Sequence, residues 1–282
     1  MTPGLGFALG AMLFFGLGDF IYKRAAASGI GARQFIMFQA WVFCPGITLY
    51  AWLTGTLDPQ LSALWGGLAG LCALVALYNF AASLQFGAVS TNAPIFRLNF
   101  TITAAFAIML LGETLTLAKF VALACTLVAV WLLLAEPGTA RVRQPLASLT
   151  RVLIATVAMG FTNLFYKIGL EHHALPETMI AAQAWVFCSL ATLFAWLPQR
   201  RIVLTKGVWR YSGSVAVVQI AGFLLLLHGL LVGPASVLVP VAQMGFVFTA
   251  LLGVFVFGET LTVRKRVGLL VAVAALGLFA VS

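Results

Sequence analysis

Apolar residues fill this chain in long unbroken stretches, and polar residues gather in short clusters between them. A helix that crosses a bilayer needs about 20 mainly apolar residues. Stretches of that length recur near residues 3–22, 34–54, 61–85, 90–111 and 116–135, and again near 150–168, 178–197, 210–231, 236–257 and 262–281. The pattern predicts an all-α integral membrane fold of ten transmembrane helices. A strand barrel would show short segments of alternating polarity, and the sequence has none. Composition agrees: 62% of the 282 residues are hydrophobic and 8% charged, against roughly 25% charged in a soluble domain.

The first apolar run has no Lys or Arg before it and Lys23 and Arg24 after it. That order is the reverse of a secretory leader, so the run is expected to remain as a span. Cys44, Cys72, Cys125 and Cys188 all lie inside apolar stretches without C-x-x-C spacing, which suits buried small hydrophobes better than disulfides or metal ligands.

The chain repeats itself. AMLFFGLGDFIYK at 11–23 aligns with ATVAMGFTNLFYK at 155–167, and QAWVFC occurs at 39–44 and at 183–188, both 144 positions apart. Beyond the loop after the second helix the spacing becomes 146, which sets GETLT at 112–116 beside GETLT at 258–262. Such self-similarity divides the chain into a first five-helix half, 1–135, a linker, 136–149, rich in Pro, Gly and Arg, and a second half, 150–282. A half with an odd number of spans ends on the opposite side from its start, so the second half is expected upside down.

Charge supports that inversion. Lys23, Arg24 and Arg33, then Arg141, Arg143 and Arg151, then Arg200, Arg201, Lys206 and Arg210, then Arg264, Lys265 and Arg266 all fall in loops on one side. The other side carries Lys119 and Lys167. By the positive-inside rule the basic side faces the cytoplasm and both termini lie outside. The net charge of +9 is therefore a topology signal and not a nucleic-acid surface, since the basic residues sit in short juxtamembrane loops. Contact with anionic lipid of the inner leaflet is an expected secondary role. Within GETLT, Gly112 and Gly258 suit left-handed helix ends, and Glu113 and Glu259, with the nearby Thr residues, are expected to cap the helix that follows.

Ten helices in two inverted halves, with a G-E-x-L-T turn after the fourth and the ninth, resemble the drug/metabolite transporter superfamily and its EamA-type members. The resemblance covers nearly the whole chain. It implies a central cavity lined by helices 1, 3, 4, 6, 8 and 9, with helices 5 and 10 at the periphery, and a solute moved by alternating access. Inverted repeats lead independently to a site near the midplane at the interface of the halves.

Polar side chains at membrane depth point to function. Arg97, in PIFRLNFT, matches Gln243, in PVAQMGFV, so both halves carry a hydrogen-bonding group at one depth and face. A guanidinium grips a carboxylate or phosphate through two parallel hydrogen bonds, and the rival reading is a structural Arg paired with an internal acid or helix carbonyls. Asn99 and Thr101 follow it, although Asn99 matches Gly245. Tyr78 and His228 occupy equivalent faces of helices 3 and 8 and are candidates for the cavity wall; the rival for His228 is a bond between helices. Gln39 and Gln183 are cavity-lining or bridging residues.

Asp19, matched by Asn163, is a coupling candidate because an intramembrane carboxylate can carry a proton, while Lys23 four residues on offers a local ion pair. Pro45, Pro94 and Pro240 can open the helical hydrogen-bond ladder. Gly6/Gly10, Gly66/Gly70 and Gly229/Gly233 are spaced for close helix packing.

The expected function is secondary transport, with export, of an amino acid or a related carboxylate-bearing solute. Its partners are the solute, the bilayer and, as coupling ion, protons; no cofactor, metal or nucleic acid is expected, and the protein is a monomer or homodimer of the bacterial inner membrane. No G-x-x-x-x-G-K-[ST] loop supplies an ATP motor. An intramembrane enzyme would need paired aspartates, a Ser/His dyad or H-E-x-x-H, whereas Asp19 and His228 stand apart and His172 and His173 fall in a loop, so no catalytic residue is expected. The alternatives are a lipid-flipping or accessory component, or another solute class such as a nucleoside, sugar phosphate or quaternary amine.

Overall fold

The computed structural model describes residues 2–86, 92, 95–134, 146–197, 207–245, 247–248 and 262–281. Among them are ten α-helices and no strand: α1 (Leu5–Ala27), α2 (Ala32–Leu53), α3 (Leu64–Phe86), α4 (Asn99–Leu110), α5 (Leu117–Leu134), α6 (Leu146–Glu171), α7 (Pro176–Trp196), α8 (Val208–Val232), α9 (Ala235–Gln243) and α10 (Val263–Val281). Pro94, Arg141, Arg143, Arg200, Arg201, Lys206, Gly258, Glu259, the ninth apolar stretch beyond Phe248 and the Lys23 side chain lie outside the described residues.

Stretches of α1, α2, α3, α6, α7 and α8 are long and apolar enough to cross a membrane, and 95–110 and 117–132 form shorter apolar helices. Their outward residues are apolar too: Leu61, Leu117 and Met109 are 86%, 79% and 76% exposed. Such a surface costs about 25 cal/mol per Å² in water, and in a bilayer it meets acyl chains. The protein is an integral membrane protein.

Contacts between the halves come in symmetric pairs. The α1–α8 contact is mirrored by α6–α3, α2–α8 by α7–α3, and α1–α9 by α6–α4, while α2–α7, α4–α9 and α5–α10 each pair a helix with its own mate. The ends of these helices fix the inversion. Near the end of α6, the Lys167 ammonium donates to the carbonyls of Leu230 (3.0 Å) and Gly233 (3.3 Å) at the end of α8. The start of α1 packs on the same place, where a Cβ on Gly4 would come within 2.7 Å of the Gly229 carbonyl oxygen. One half thus finishes its first helix where the other begins. α5 and α10 pair chiefly with each other at the periphery, and Thr2 donates its backbone N–H to the Ala280 carbonyl (3.2 Å), joining the start of the chain to the end of α10.

In lipid, helices hold together by close packing of small residues. A Cβ on Gly66 would lie 2.3 Å from the Met179 carbonyl oxygen, and one on Gly70 2.5 Å from that of Gln183, so α3 meets the backbone of α7 directly. Gly6 differs from expectation: nothing lies within 4 Å of its Cβ position, and its spacing with Gly10 reflects no close contact there.

The first GETLT turn divides its labour in a way the sequence did not indicate. Gly112 takes a left-handed φ of +66°, and the Thr116 hydroxyl accepts the Lys119 backbone N–H (3.2 Å), capping α5. Glu113 leaves α5 alone. Its two carboxylate oxygens accept the backbone N–H groups of Ala235 (2.7 Å) and Ser236 (2.9 Å), at the start of α9 in the other half. The first N–H groups of any helix lack internal partners and carry a partial positive charge, and the inverted packing brings the start of α9 closer to Glu113 than local sequence implies.

Candidate functional site

Two helices are broken at matching positions. In the first half the Leu98 N–H bonds the Ile95 carbonyl (3.1 Å) and Thr101 bonds Leu98 (2.9 Å); in the second, Met244 bonds Val241 (3.1 Å) and Val247 bonds Met244 (2.9 Å). These are three-residue bonds in place of four-residue ones, a local tightening that interrupts the α-helix. Arg97 and Gln243 stand immediately before the two breaks. Pro240 sits inside α9 and withdraws one N–H from its ladder.

Arg97 and Gln243 meet. The guanidinium donates through Nη1 to Gln243 Oε1 at 2.8 Å and through Nη2 to the carboxylate of Asp19 on α1. Arg97 is 8% exposed at its side chain and Asp19 31%, so the acid reaches further toward water than the base. A buried cation is costly unless paired and hydrogen-bonded, and Asp19 and Gln243 meet both needs. Among the described residues these contacts use two of the five N–H donors of the guanidinium. Asp19 is therefore held by Arg97, a long-range partner; the Lys23 side chain lies outside the described residues.

The cavity at this point measures about 50 Å³. Its wall comprises Phe15, Asp19 and Tyr22 of α1, Leu77 and Phe80 of α3, Phe96 and Arg97 ahead of α4, Met159 and Asn163 of α6, Gln219 and Phe223 of α8, and Gln243 of α9. These are the six helices that the resemblance implied. A second hollow of about 20 Å³ reaches α2 and α7 through Gln39 and Gln183, and shares Leu77, Gln219 and Phe223 with the first. Spaces of this size hold a few water molecules, so a solute enters only when helices part.

Repeat symmetry governs one pair of these polar contacts. Tyr22 donates to Gln39 Oε1 (2.5 Å), and its mate Tyr166 donates to Gln183. The symmetry fails where Gln39 donates onward to Gln219 Oε1 (2.6 Å), because Gln219 has Ala73 as its mate. Asn163, the mate of Asp19, donates to Asn99 Oδ1 (3.3 Å) and Thr103 Oγ1 (3.5 Å). Asn99 in turn lays its amide on the Phe96 carbonyl (2.7 Å), and Thr101 bonds the Leu98 carbonyl (2.7 Å). Both residues support the break in the helix, and Asn99 is fully buried.

Tyr78 and His228 are not brought to this cavity. Because their helices are inverted, equal depth in each half places them at opposite ends of the bundle. Tyr78 packs edge-on against Phe194. His228 Nδ1 donates to the Leu224 carbonyl (2.8 Å), and its Nε2 lies 3.3 Å from Glu177 Oε1 at the start of α7. Sequence reasoning missed Tyr22, Gln219 and Glu177. Tyr22 carried a signal, since Y-K closes both copies of the duplicated first-helix motif. Among the described residues, no three His, Cys, Asp or Glu side chains cluster as metal ligands.

Ten helices in two inverted halves, with broken helices around a cavity that holds Arg97 and Asp19, define a membrane carrier of the inverted-repeat kind. The sequence profile of the EamA-like transporter family matches residues 2–135 and 147–281. The chain belongs to that family, and is a membrane transporter of small solutes; the family is one of transporters, not enzymes. An uncharacterized protein of Methanocaldococcus jannaschii is 28% identical over 131 residues, which are 46% of this chain and 93% of that one, so the relative corresponds to one half. A solved crystal structure shares the fold with a TM-score of 0.78 at 14% identity, covering 96% of each chain.

Proposed function

We propose that this protein is a secondary transporter that exports an amino acid or a related carboxylate-bearing solute by alternating access. The observation that carries the reading is Arg97, buried at a helix break inside the cavity and held by Asp19 and Gln243. A solute carboxylate competes with Asp19 for the guanidinium, since both are planar anions suited to paired N–H donors. Once displaced, Asp19 needs another counter-charge. For a simple carboxylate this is a proton, which couples transport to the proton gradient; for a zwitterion it is the ammonium of the solute. Phe15, Phe80, Phe96 and Phe223 favour an apolar remainder.

By the excess of basic loops the side bearing Arg33, Arg151 and Arg264 faces the cytoplasm, in a bacterial inner membrane, with both termini outside. A thermal-shift screen of the purified protein against amino acids, nucleosides, sugar phosphates and quaternary amines tests the substrate class. Stabilisation by amino acids that is lost in Arg97→Gln supports the reading, and stabilisation only by a solute without an anionic group refutes it.

One observation favours a second reading, the movement of lipid. A groove of about 540 Å³ between α2 and α7 is lined by Trp41, Cys44, Pro45, Thr48, Leu49, Trp52, Trp185 and Cys188, and Trp52 and Trp185 are 67% and 58% exposed. Lipid scrambling by the protein in liposomes, abolished by filling this groove, would establish that alternative.

A further inference from the structure

The inverted fold builds one helix junction twice, and the two copies are charged differently. At one end, Glu177 of α7 meets His228 of α8 beside Phe7 of α1. At the other, the mates of Glu177 and Phe7 are Arg33 of α2 and Arg151 of α6, and both guanidiniums gather at Tyr78 of α3. Arg33 Cζ lies 5.9 Å from the Tyr78 ring centre and 4.7 Å from that of Phe194, and Arg151 Cζ lies 5.8 Å from Tyr78. Arg151 also approaches Asn79 Oδ1 at 3.4 Å.

Among the described residues neither guanidinium has an acidic partner. The setting of Arg33 adds to the imbalance, because it lies in the first turn of α2, where the backbone is already positive, and neither α2 nor α6 has an acidic residue in its first turn. The junction that holds Glu177 pairs it with His228 inside the protein; the one that holds two arginines has no acid among the described residues and is open to an anion from outside.

We infer that Arg33, Arg151 and Tyr78 form a binding site for a phosphate group, supplied by the headgroup of an anionic phospholipid. Guanidinium is suited to phosphate through paired N–H donors, a Tyr ring is at home at headgroup depth, and the cluster stands at the ends of four membrane-spanning helices. The site holds α2, α3 and α6 to one ligand, and it is independent of which solute the central cavity carries.

The test is native mass spectrometry of the full-length protein exchanged from bilayers of phosphatidylcholine with and without phosphatidylglycerol, read together with thermal stability. Wild type retains phosphatidylglycerol and is stabilised by it. The double variant Arg33→Gln/Arg151→Gln loses that preference by roughly tenfold or more, as expected for two charges near an anionic surface, while Arg264→Gln, which removes an arginine stacked on Trp131, keeps it. Should the glutamine variant not fold, Arg33→Lys/Arg151→Lys retains both charges and gives a weakened preference, because a lysine cannot make the paired bond. Inorganic phosphate added alone separates the sources: equal protection that depends on the two arginines assigns the site to free phosphate and overturns the lipid. An unchanged lipid preference in the double variants overturns the site altogether.

Discussion

Arg97 and Gln243 occupy the same position in the two halves of the chain, and the guanidinium of one donates to the side-chain carbonyl of the other at 2.8 Å. The pseudo-two-fold axis thus passes between a charged and a neutral version of one residue. Asp19, charged where its mate Asn163 is neutral, completes the same bias toward the first half.

The ion pair predicts a double-mutant cycle. Asp19→Asn leaves Arg97 buried without its counter-charge and costs roughly 2–4 kcal/mol, somewhat under the figure for a fully buried pair because Asp19 is partly exposed. Asp19→Asn combined with Arg97→Gln recovers most of that loss. Thermal denaturation of the four proteins in one detergent measures the coupling, and additive losses would show that the two side chains do not interact.

Glu113 binds the start of α9, not of α5. In Glu113→Gln the amide keeps one acceptor oxygen and replaces the other with a donor, at a cost of about 1–3 kcal/mol for the lost charge-assisted bond. Hydrogen exchange rises at residues 235–238 and stays unchanged at 117–121, where Thr116 supplies the cap. The reverse pattern would place the carboxylate on its own helix.

Close packing of α3 on α7 makes Gly66 and Gly70 intolerant of a side chain. Gly66→Ala forces a methyl group against the Met179 carbonyl oxygen and destabilises by about 1–3 kcal/mol, whereas Gly6→Ala, whose Cβ meets nothing within 4 Å, leaves the melting temperature within a degree or so (about 0.5 kcal/mol or less). Equal effects at the two positions would contradict the helix packing.

The helices, the repeat and its inversion were legible in the sequence because each rests on long-range averages: runs of apolar residues, matched segments and the side on which arginines fall. Arg97 and Gln243 were legible because symmetry marks a costly polar position twice. Partners were less so. Asp19 pairs with Arg97 on another helix, and Glu113 precedes α5 and binds residues 122 and 123 positions further on; spacing along the chain reports only local partners. For Tyr78 and His228 the helical face was readable, but in an inverted pair equal depth means opposite ends. Gln219 has an alanine as its mate, so no symmetry singled it out.

Flux of radiolabelled amino acids through proteoliposomes tests the account most directly, with equal amounts of folded wild-type and Arg97→Gln protein. Wild type moves the solute and the variant falls to the rate of protein-free liposomes, a loss on the order of a hundredfold if about 3 kcal/mol of carboxylate binding is removed. Undiminished flux in the folded variant would contradict the role given to Arg97.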